Sequence, residues 1–380
     1  MNIGFDAKRA AQNATGLGNY SRFVLEMLLK HAPDLQLYLY MPSQRKARLL
    51  QRLPKSDRLH FCYPTTRWQR LFSGLWRIVG LNDALQQDGI SLYHGLSNEL
   101  PLNIRRARGV KTVVTIHDLL FLRFPKGYHA IDRLIYNFKF RRACRNADQI
   151  IAVSQFTKQE IVDRYQISPD KIAVVYQGCD KSFAQPVSAA RLEEVRLAYD
   201  LPKRYILYVG SIEKRKNLML LARALKQVDA SISVIAVGRR TPYADEVEAY
   251  LRSERLEGRM RLVSGVPFHH LPALYRQASV FVYPSRCEGF GIPLLEAISS
   301  GVPAIGCTGS CLEEAGGPGS VYVDPDDEEA LAREINRIVL GDDHSRQQMI
   351  DSGREYAQRF DEESLCRDLM DVYRRLIPTI

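Results

Sequence analysis

Two acids with seven residues between them, Glu288 and Glu296, bracket a glycine-rich turn in the run Ser285-Arg286-Cys287-Glu288-Gly289-Phe290-Gly291-Ile292-Pro293-Leu294-Leu295-Glu296. Pro293 marks a plausible first helical position, so Glu288 belongs to the loop and Glu296 to the opening turn of a helix. Such a loop brings backbone N–H groups and one carboxylate to a polar ligand, while the helix delivers the second carboxylate a few ångströms away. An acid in a first helical turn also suits the helix dipole with no ligand present. The glycines favour the ligand, because a flexible loop costs entropy and offers no packing in return.

Three further clusters carry chemistry. In Gly210-Ser211-Ile212-Glu213-Lys214-Arg215-Lys216-Asn217, Arg and Lys stand beside a helix start, an arrangement that neutralises a diphosphate. It is not a P-loop, since GxxxxGK[ST] occurs nowhere in the chain. His117-Asp118 directly follows the apolar run KTVVTI, where open α/β sheets put reactive groups. Asp118 there either holds the imidazole tautomer or caps the next helix. Gly16 and Gly18 lie in Thr15-Gly16-Leu17-Gly18-Asn19-Tyr20, between a strand and a helix, and fit an anion or sugar contact or a structural turn. The third glycine of a dinucleotide fingerprint is missing, because position 21 is Ser.

These residues must be carried by strands and helices in alternation. Residues 2–6, Leu35–Tyr40, Ser91–His94, Lys111–Ile116, Gln149–Val153 and Lys171–Tyr176 read as strands of a first half. Arg204–Val209, Ser233–Val237, 261–263, Val280–Tyr283 and Val302–Ile305 read as strands of a second. Helices are expected over 19–30, after Ser154, and over 217–225, 244–255, 271–277, 293–300, 328–340 and 362–376. A single barrel would need eight evenly spaced units. Two doubly wound Rossmann-like domains facing across a cleft account better for the pattern, and ligands in such sheets bind beyond the carboxyl ends of strands. The expected division is 1–185 for the first domain and 186–360 for the second, with 361–380 as a terminal helix packing back on the first.

A length of 380 residues, 46% apolar and 25% charged, excludes a disordered chain, a collagen-like repeat and a polytopic membrane protein. The seven cysteines are scattered without a CxxC pair, no leader or apolar span is recognisable, and no metal-ligand set is complete. A cytoplasmic protein without a metal or other cofactor is expected. Charge is uneven: residues 1–180 carry 27 Lys+Arg against 14 Asp+Glu, and residues 181–380 carry 26 against 29. The basic half suits an anionic membrane, a phosphorylated substrate or nucleic acid. Neither an aromatic RNP pair nor a zinc spacing is present, so nucleic acid is not expected as a partner. Both tryptophans fall in Trp68–Leu81, where apolar Trp68, Leu71, Leu75, Trp76 and Val79 are interleaved with Arg70 and Arg77 and preceded by Arg67. That pattern suits an interfacial helix or a core helix.

From His269 to Asp327 the chain resembles the C-terminal signature of the family 4 retaining glycosyltransferases, of GT-B fold. The resemblance rests on an LPALYRQA helix, the PSRCEGFG loop, the E-x7-E pair, a GVPAI strand and DP before another helix. GSIEKRKN is similar to the family's phosphate-binding segment, IAVVYQGCD to its crossover between domains, and TGLGNY and IHD to its first-domain landmarks.

The resemblance implies that Glu296 receives the ribose hydroxyls of a sugar nucleotide and Glu288 the hydroxyls of the donor sugar. It implies that Arg215 and Lys216 bind the diphosphate and that His117 lies beside the donor hexose. Gly16 and Gly18 are implied to approach the phosphate and sugar, Gly210 to belong to the substrate-binding set, and Gly238, Arg239, Val266 and Pro267 to line the nucleoside. Phe290 and Gly291 are implied to supply backbone contacts to the donor sugar, and Ile292 and Leu294 complete the binding set. The family's Ser-Leu-Pro-Glu run is replaced by Ser310-Cys311-Leu312-Glu313, which alters that loop.

The implied activity is metal-independent, retaining hexosyl transfer from a nucleotide sugar to a saccharide or polyprenyl-diphosphate-linked saccharide. The EKRKN and EGFGIPLLE forms resemble relatives that use GDP-mannose, and the alternatives are a UDP- or dTDP-sugar donor, a sugar-nucleotide epimerase or a non-enzymatic basic binding protein. The basic half would place a cytoplasmic enzyme peripherally on the inner face of the cytoplasmic membrane.

Overall fold

The computed structural model describes residues 1–44 and 47–378. The chain divides into two compact units, Met1–Gln177 with Asp361–Ile380, and Gly178–Phe360. The division falls between Gln177 and Gly178, where the sequence suggested 185. The irregular stretch after Gly178 packs within the second unit: Phe183 is fully buried with its ring centroid 5.4 Å from that of Tyr275, and Cys179 Sγ lies 3.5 Å from Ser299 Oγ.

The first unit is built on seven parallel strands, β1 (Asn2–Asp6), β2 (Gln36–Tyr40), β3 (Leu59–Cys62), β4 (Leu92–Gly95), β5 (Lys111–Ile116), β6 (Gln149–Ala152) and β7 (Ile172–Val174). Their order is β3-β2-β1-β4-β5-β6-β7. The central strands are buried on both faces, which suits the mostly apolar runs of β5 (KTVVTI) and β6 (QIIA). In register, Ile3 of β1 pairs with Leu37 on one side and Leu92 on the other. The strand order reverses between β1 and β4, the point at which a doubly wound sheet opens a crevice at its carboxyl edge.

The C-terminal helix Glu362–Leu376 belongs to this first unit. Leu365, Leu369 and Tyr373 share a core with Val24, Leu25 and Leu28 of helix Gly16–His31. Lys30 pairs with Glu362 at 2.5 Å, and the Tyr373 hydroxyl lies 2.7 Å from His94 Nδ1. The single helix expected over Trp68–Leu81 is instead two, Arg67–Leu71 and Ser73–Val79, broken at Phe72.

The second unit carries six parallel strands, β8 (Tyr205–Val209), β9 (Ser233–Val237), β10 (Met260–Val263), β11 (Val280–Val282), β12 (Ala304–Cys307) and β13 (Val321–Val323), in the order β10-β9-β8-β11-β12-β13. The reversal here lies between β8 and β11, so the segments leaving these two strands flank the switch point. Those segments are Gly210–Asn217 and Tyr283–Gly291. Both units are therefore Rossmann-like.

Candidate active site

Glu288 is the focus of the second unit's site. Its Oε1 accepts hydrogen bonds from the Tyr283 hydroxyl and from Ser285 Oγ, each at 2.8 Å. Arg215 Nη1 lies 2.7 Å from the same oxygen and Lys216 Nζ 3.6 Å from it. Tyr283 and Ser285 stand just beyond β11, and Arg215 and Lys216 sit in a short helical turn just beyond β8. The switch point thus brings one acid and two cations together from two loops that are remote in sequence. Burial alone would raise the Glu288 carboxyl, but Lys216, Arg215 and the two hydroxyl donors outweigh it and pull the pKa down to about 2. Burial works against the Arg215 guanidinium as well, and Glu288 more than compensates, holding it cationic.

The two cations differ in what they have left to give. Arg215 donates through Nη1 to the Cys287 carbonyl and through Nη2 to Glu213 Oε1, besides its pairing with Glu288. Lys216 donates to the Tyr283 hydroxyl at 2.7 Å, leaving ammonium protons for another acceptor. Gly210 makes room for it: a Cβ there would stand 3.1 Å from Lys216 Nζ.

Glu296 lies in the helix Ile292–Ser299, which follows Gly291. Gly291 has φ +117°, and a Cβ on it would stand 2.8 Å from Leu312 Cδ2, so both backbone and space require glycine. The Tyr275 hydroxyl donates to Glu296 Oε2 at 2.8 Å. The side chain keeps part of its surface open while its carboxyl end is desolvated. That desolvation raises its pKa to about 7, against the pull of Tyr275 and Lys216 and with a push from Asp180. Lys216 therefore acts on both acids.

A cavity of about 590 Å³ adjoins Lys216 across Gly210. Gly210, Ser211, Gly238, Arg239 and Val266 line it. Gly238 is required by close approach, because a Cβ there would fall 1.8 Å from the Gly210 carbonyl oxygen. Pro267 stands next to this lining, ahead of the short turn Phe268–His270.

The Phe290 side chain is buried, its ring 5.5 Å from that of Phe360, which leaves its backbone for the contact the sequence suggested. Leu294 is fully buried and gives its amide to the Gly291 carbonyl, which makes it a packing residue rather than a ligand contact. Ile292 is half-buried at the first helical position.

In the first unit, His117 lies just past the end of β5, with both ring nitrogens engaged. Nε2–H donates to the Leu96 carbonyl at 2.9 Å, and Nδ1 accepts from Gln177 Nε2 at 2.9 Å. Its backbone amide donates to Asn98 Oδ1 at 2.8 Å. Burial lowers its pKa to about 4, so the ring is neutral at physiological pH. The Asp118 carboxylate accepts the Leu120 amide at 3.1 Å, but the N-cap position of the helix Leu120–Arg123 is Leu119, so Asp118 sits one residue ahead of the cap the sequence suggested. The edge of the Tyr20 ring meets His117, centroids 4.6 Å apart. Tyr20 is two residues from Gly18, and a Cβ on Gly18 would stand 1.8 Å from the Asn13 carbonyl oxygen. Gly16, the first residue of its helix, faces open space.

Sequence reasoning missed Tyr275, Gln177 and Asn98 as partners of site residues. The hydroxyl-bearing Tyr283 and Ser285, on alternate positions at a strand end, were the available signal for the Glu288 shell.

Two family profiles divide the chain: "Glycosyltransferase Family 4" matches residues 20–183 and "Glycosyl transferases group 1" matches residues 193–356. O-antigen chain mannosyltransferase B of Escherichia coli is 32% identical over 291 residues, covering 75% of this chain and 74% of the relative. Among solved structures, sucrose-phosphate synthase from Thermosynechococcus elongatus superposes over 100% of both chains with a TM-score of 0.78 at 21% identity. Anabaena Alr3699/HepE, solved in complex with UDP and glucose, covers 99% of this chain and 100% of its own with a TM-score of 0.74 at 18% identity.

Proposed function

This chain belongs to the family 4 glycosyltransferases of GT-B fold, enzymes that move a hexose from a nucleotide sugar to a saccharide acceptor, and on that premise we propose that the Lys216–Glu288 cluster is where the activated sugar is held. The observation that carries the reading is the convergence of Lys216, Arg215, Tyr283 and Ser285 on one oxygen of Glu288. An acid held ionised down to about pH 2 is a strong acceptor for sugar hydroxyls. The adjacent ammonium, with donor capacity to spare, meets the diphosphate.

Charge grows on the diphosphate oxygens as the glycosidic bond breaks. Lys216, supported by Arg215, stabilises that charge without reorganising, because Glu288 and Tyr283 already fix both cations. The cavity beyond Gly210 takes the nucleoside, with Arg239 and Val266 in its wall and Pro267 beside it, and Glu296 accepts the ribose hydroxyls. Glu288 orients the sugar rather than attacking it, so transfer proceeds on one face with retention and the leaving phosphate assists the incoming hydroxyl. Within the first unit, neutral His117 and the Gly16–Gly18 turn are its own candidates for contact with a sugar or a phosphate.

A UDP-sugar is the better-supported donor, since a solved structure of the same fold carries UDP and glucose, and a dTDP-sugar is its close chemical alternative. GDP-mannose is the second reading, favoured by the mannosyltransferase name of the 32% identical relative. A thermal-shift panel of UDP-, dTDP-, GDP- and ADP-hexoses separates the two, and a panel with no hit overturns the site assignment. A lipid-carried acceptor and peripheral attachment to an anionic membrane are part of the proposal, supported by the positive balance of residues 1–180.

A further inference from the structure

The first unit exposes two apolar stripes that its own core does not use. Helix Arg67–Leu71 buries none of its residues although a full capping box between Thr66 and Gln69 fixes it, and Trp68 and Leu71 are 73% and 70% exposed. The Trp68 ring stacks on Phe72 at 6.1 Å, and Leu75 of the following helix is also exposed. Trp76 and Arg77, expected on the same face, point inward instead. Helix Ala130–Asn146 buries Phe140, Ala143 and Cys144 on one side and presents Ile131, Leu134 and Phe138 to solvent on another. A water-exposed helix needs only one apolar face, so the second stripe calls for a partner.

The two stripes are tied together. Arg77, from the helix after Phe72, pairs with Glu99 at 2.8 Å, and Lys139, from the long helix, pairs with the other oxygen of Glu99 at 3.3 Å. Arg77 also pairs with Asp6 at the carboxyl end of β1, at 2.5 Å. Both stripes are thereby fixed beside the switch point of the first sheet, the edge at which an acceptor is expected.

Charge identifies the occupant. Arg67 and Arg70 are exposed on the first stripe's helix, and Arg141 and Arg142 at the end of the second. The long helix carries five basic residues against one acid, Asp132. A second copy of this chain would bring like charge against like, whereas an anionic bilayer offers acyl chains to the stripes and phosphates to the arginines. Among the described residues no helix is long and apolar enough to cross a membrane.

We propose that the outer faces of Arg67–Val79 and Ala130–Asn146 form one two-part surface that seats the first unit on an anionic bilayer, with the acceptor end of its sheet beside the lipid. This deepens the lipid-carried-acceptor reading given above and rests on it only for its purpose.

The test is co-sedimentation of the full chain with phosphatidylcholine vesicles, with and without phosphatidylglycerol. Wild type sediments with the anionic vesicles. The pairs Trp68→Ser/Leu71→Ser and Leu134→Ser/Phe138→Ser each lower the partition coefficient about tenfold or more, and Arg141→Gln/Arg142→Gln lowers it on anionic vesicles alone. All three keep the wild-type thermal shift with the nucleotide sugar, which reports an intact fold. No binding to anionic vesicles, or binding indifferent to both apolar pairs, overturns the proposal. So does a dimer in light scattering that the same substitutions dissociate while vesicles are ignored. Vesicle binding without transfer from any nucleotide sugar would sink the functional reading and leave the membrane surface standing; transfer to a soluble acceptor without vesicle binding would do the reverse.

Discussion

Lys216 Nζ lies 2.7 Å from the Tyr283 hydroxyl and 3.6 Å from Glu288 Oε1, so one ammonium is held by an acid and a phenol that also bond to each other. The cation is positioned before any ligand arrives, which is the condition for electrostatic stabilisation without reorganisation. Lys216→Ala is expected to lower kcat/KM by about 10²–10³-fold. Lys216→Arg recovers little of this, because a planar guanidinium does not fit the space that Gly210 leaves for an ammonium. Steady-state kinetics with the preferred donor check both.

The two acids differ in sign. Burial raises the Glu296 pKa to about 7, so donor binding that needs its carboxylate releases a proton below that pH. The donor Kd should fall as pH rises through 7, and Glu296→Gln should flatten that dependence. Calorimetry at pH 6 in buffers of differing ionisation enthalpy reads the released proton directly. For stability, the Glu296 contribution is full below the unfolded value near 4.5 and is lost as pH rises to 7. That of Glu288, depressed to about 2, is present above 4.5 and is lost as pH falls.

His117, buried with a pKa near 4, and His94, near 3 from burial and the proximity of His117, should remain neutral in imidazole NMR spectra from pH 8 to 5. Both values lie below that of a free imidazole. Their contribution to stability is therefore whole above pH 6.5 and is lost as pH falls toward 4. Gln177→Glu replaces a donor to Nδ1 with an acceptor; His117 then takes up a proton nearer neutrality and kcat falls with it. A titration curve unchanged by that substitution would contradict the assigned tautomer.

Three glycines separate packing from binding. A Cβ on Gly18 or Gly238 meets a backbone carbonyl oxygen at 1.8 Å, so either Ala variant should lose about 1–3 kcal/mol in chemical denaturation. Gly16→Ala meets nothing within 4 Å and should leave stability within about 0.5 kcal/mol of wild type while raising the donor KM.

Much of this was legible in the sequence where a local rule decides. Buried parallel strands such as β8 (YILYV) announce themselves as nearly uniform apolar runs, and the expected strand over 233–237 is the observed β9. Ser154 caps its helix through the Thr157 amide, as its position before Gln155 implied. The switch-point cluster was legible in outline, because Lys216 and Glu288 each follow a buried strand. The elements missed were those whose pattern is ambiguous. Helix Ala130–Asn146 is apolar on two sides, helix Asp343–Ala357 buries only Ile350 and Gly353, and β3 is a four-residue strand at the sheet edge with no residue fully buried. The inward turn of Leu294 was equally hidden, since a site loop and a core helix read alike when both are apolar.

The central claim is that one nucleotide sugar is held and cleaved at Lys216 and Glu288. Released nucleoside diphosphate should be measured for wild type, Lys216→Ala and Glu288→Gln with UDP-, dTDP-, GDP- and ADP-hexoses and an acceptor extract. Release confined to one donor base, and reduced at least tenfold by each substitution in variants that remain folded at the assay temperature, is the expected result. Full activity in both variants, or no release from any donor, would contradict it.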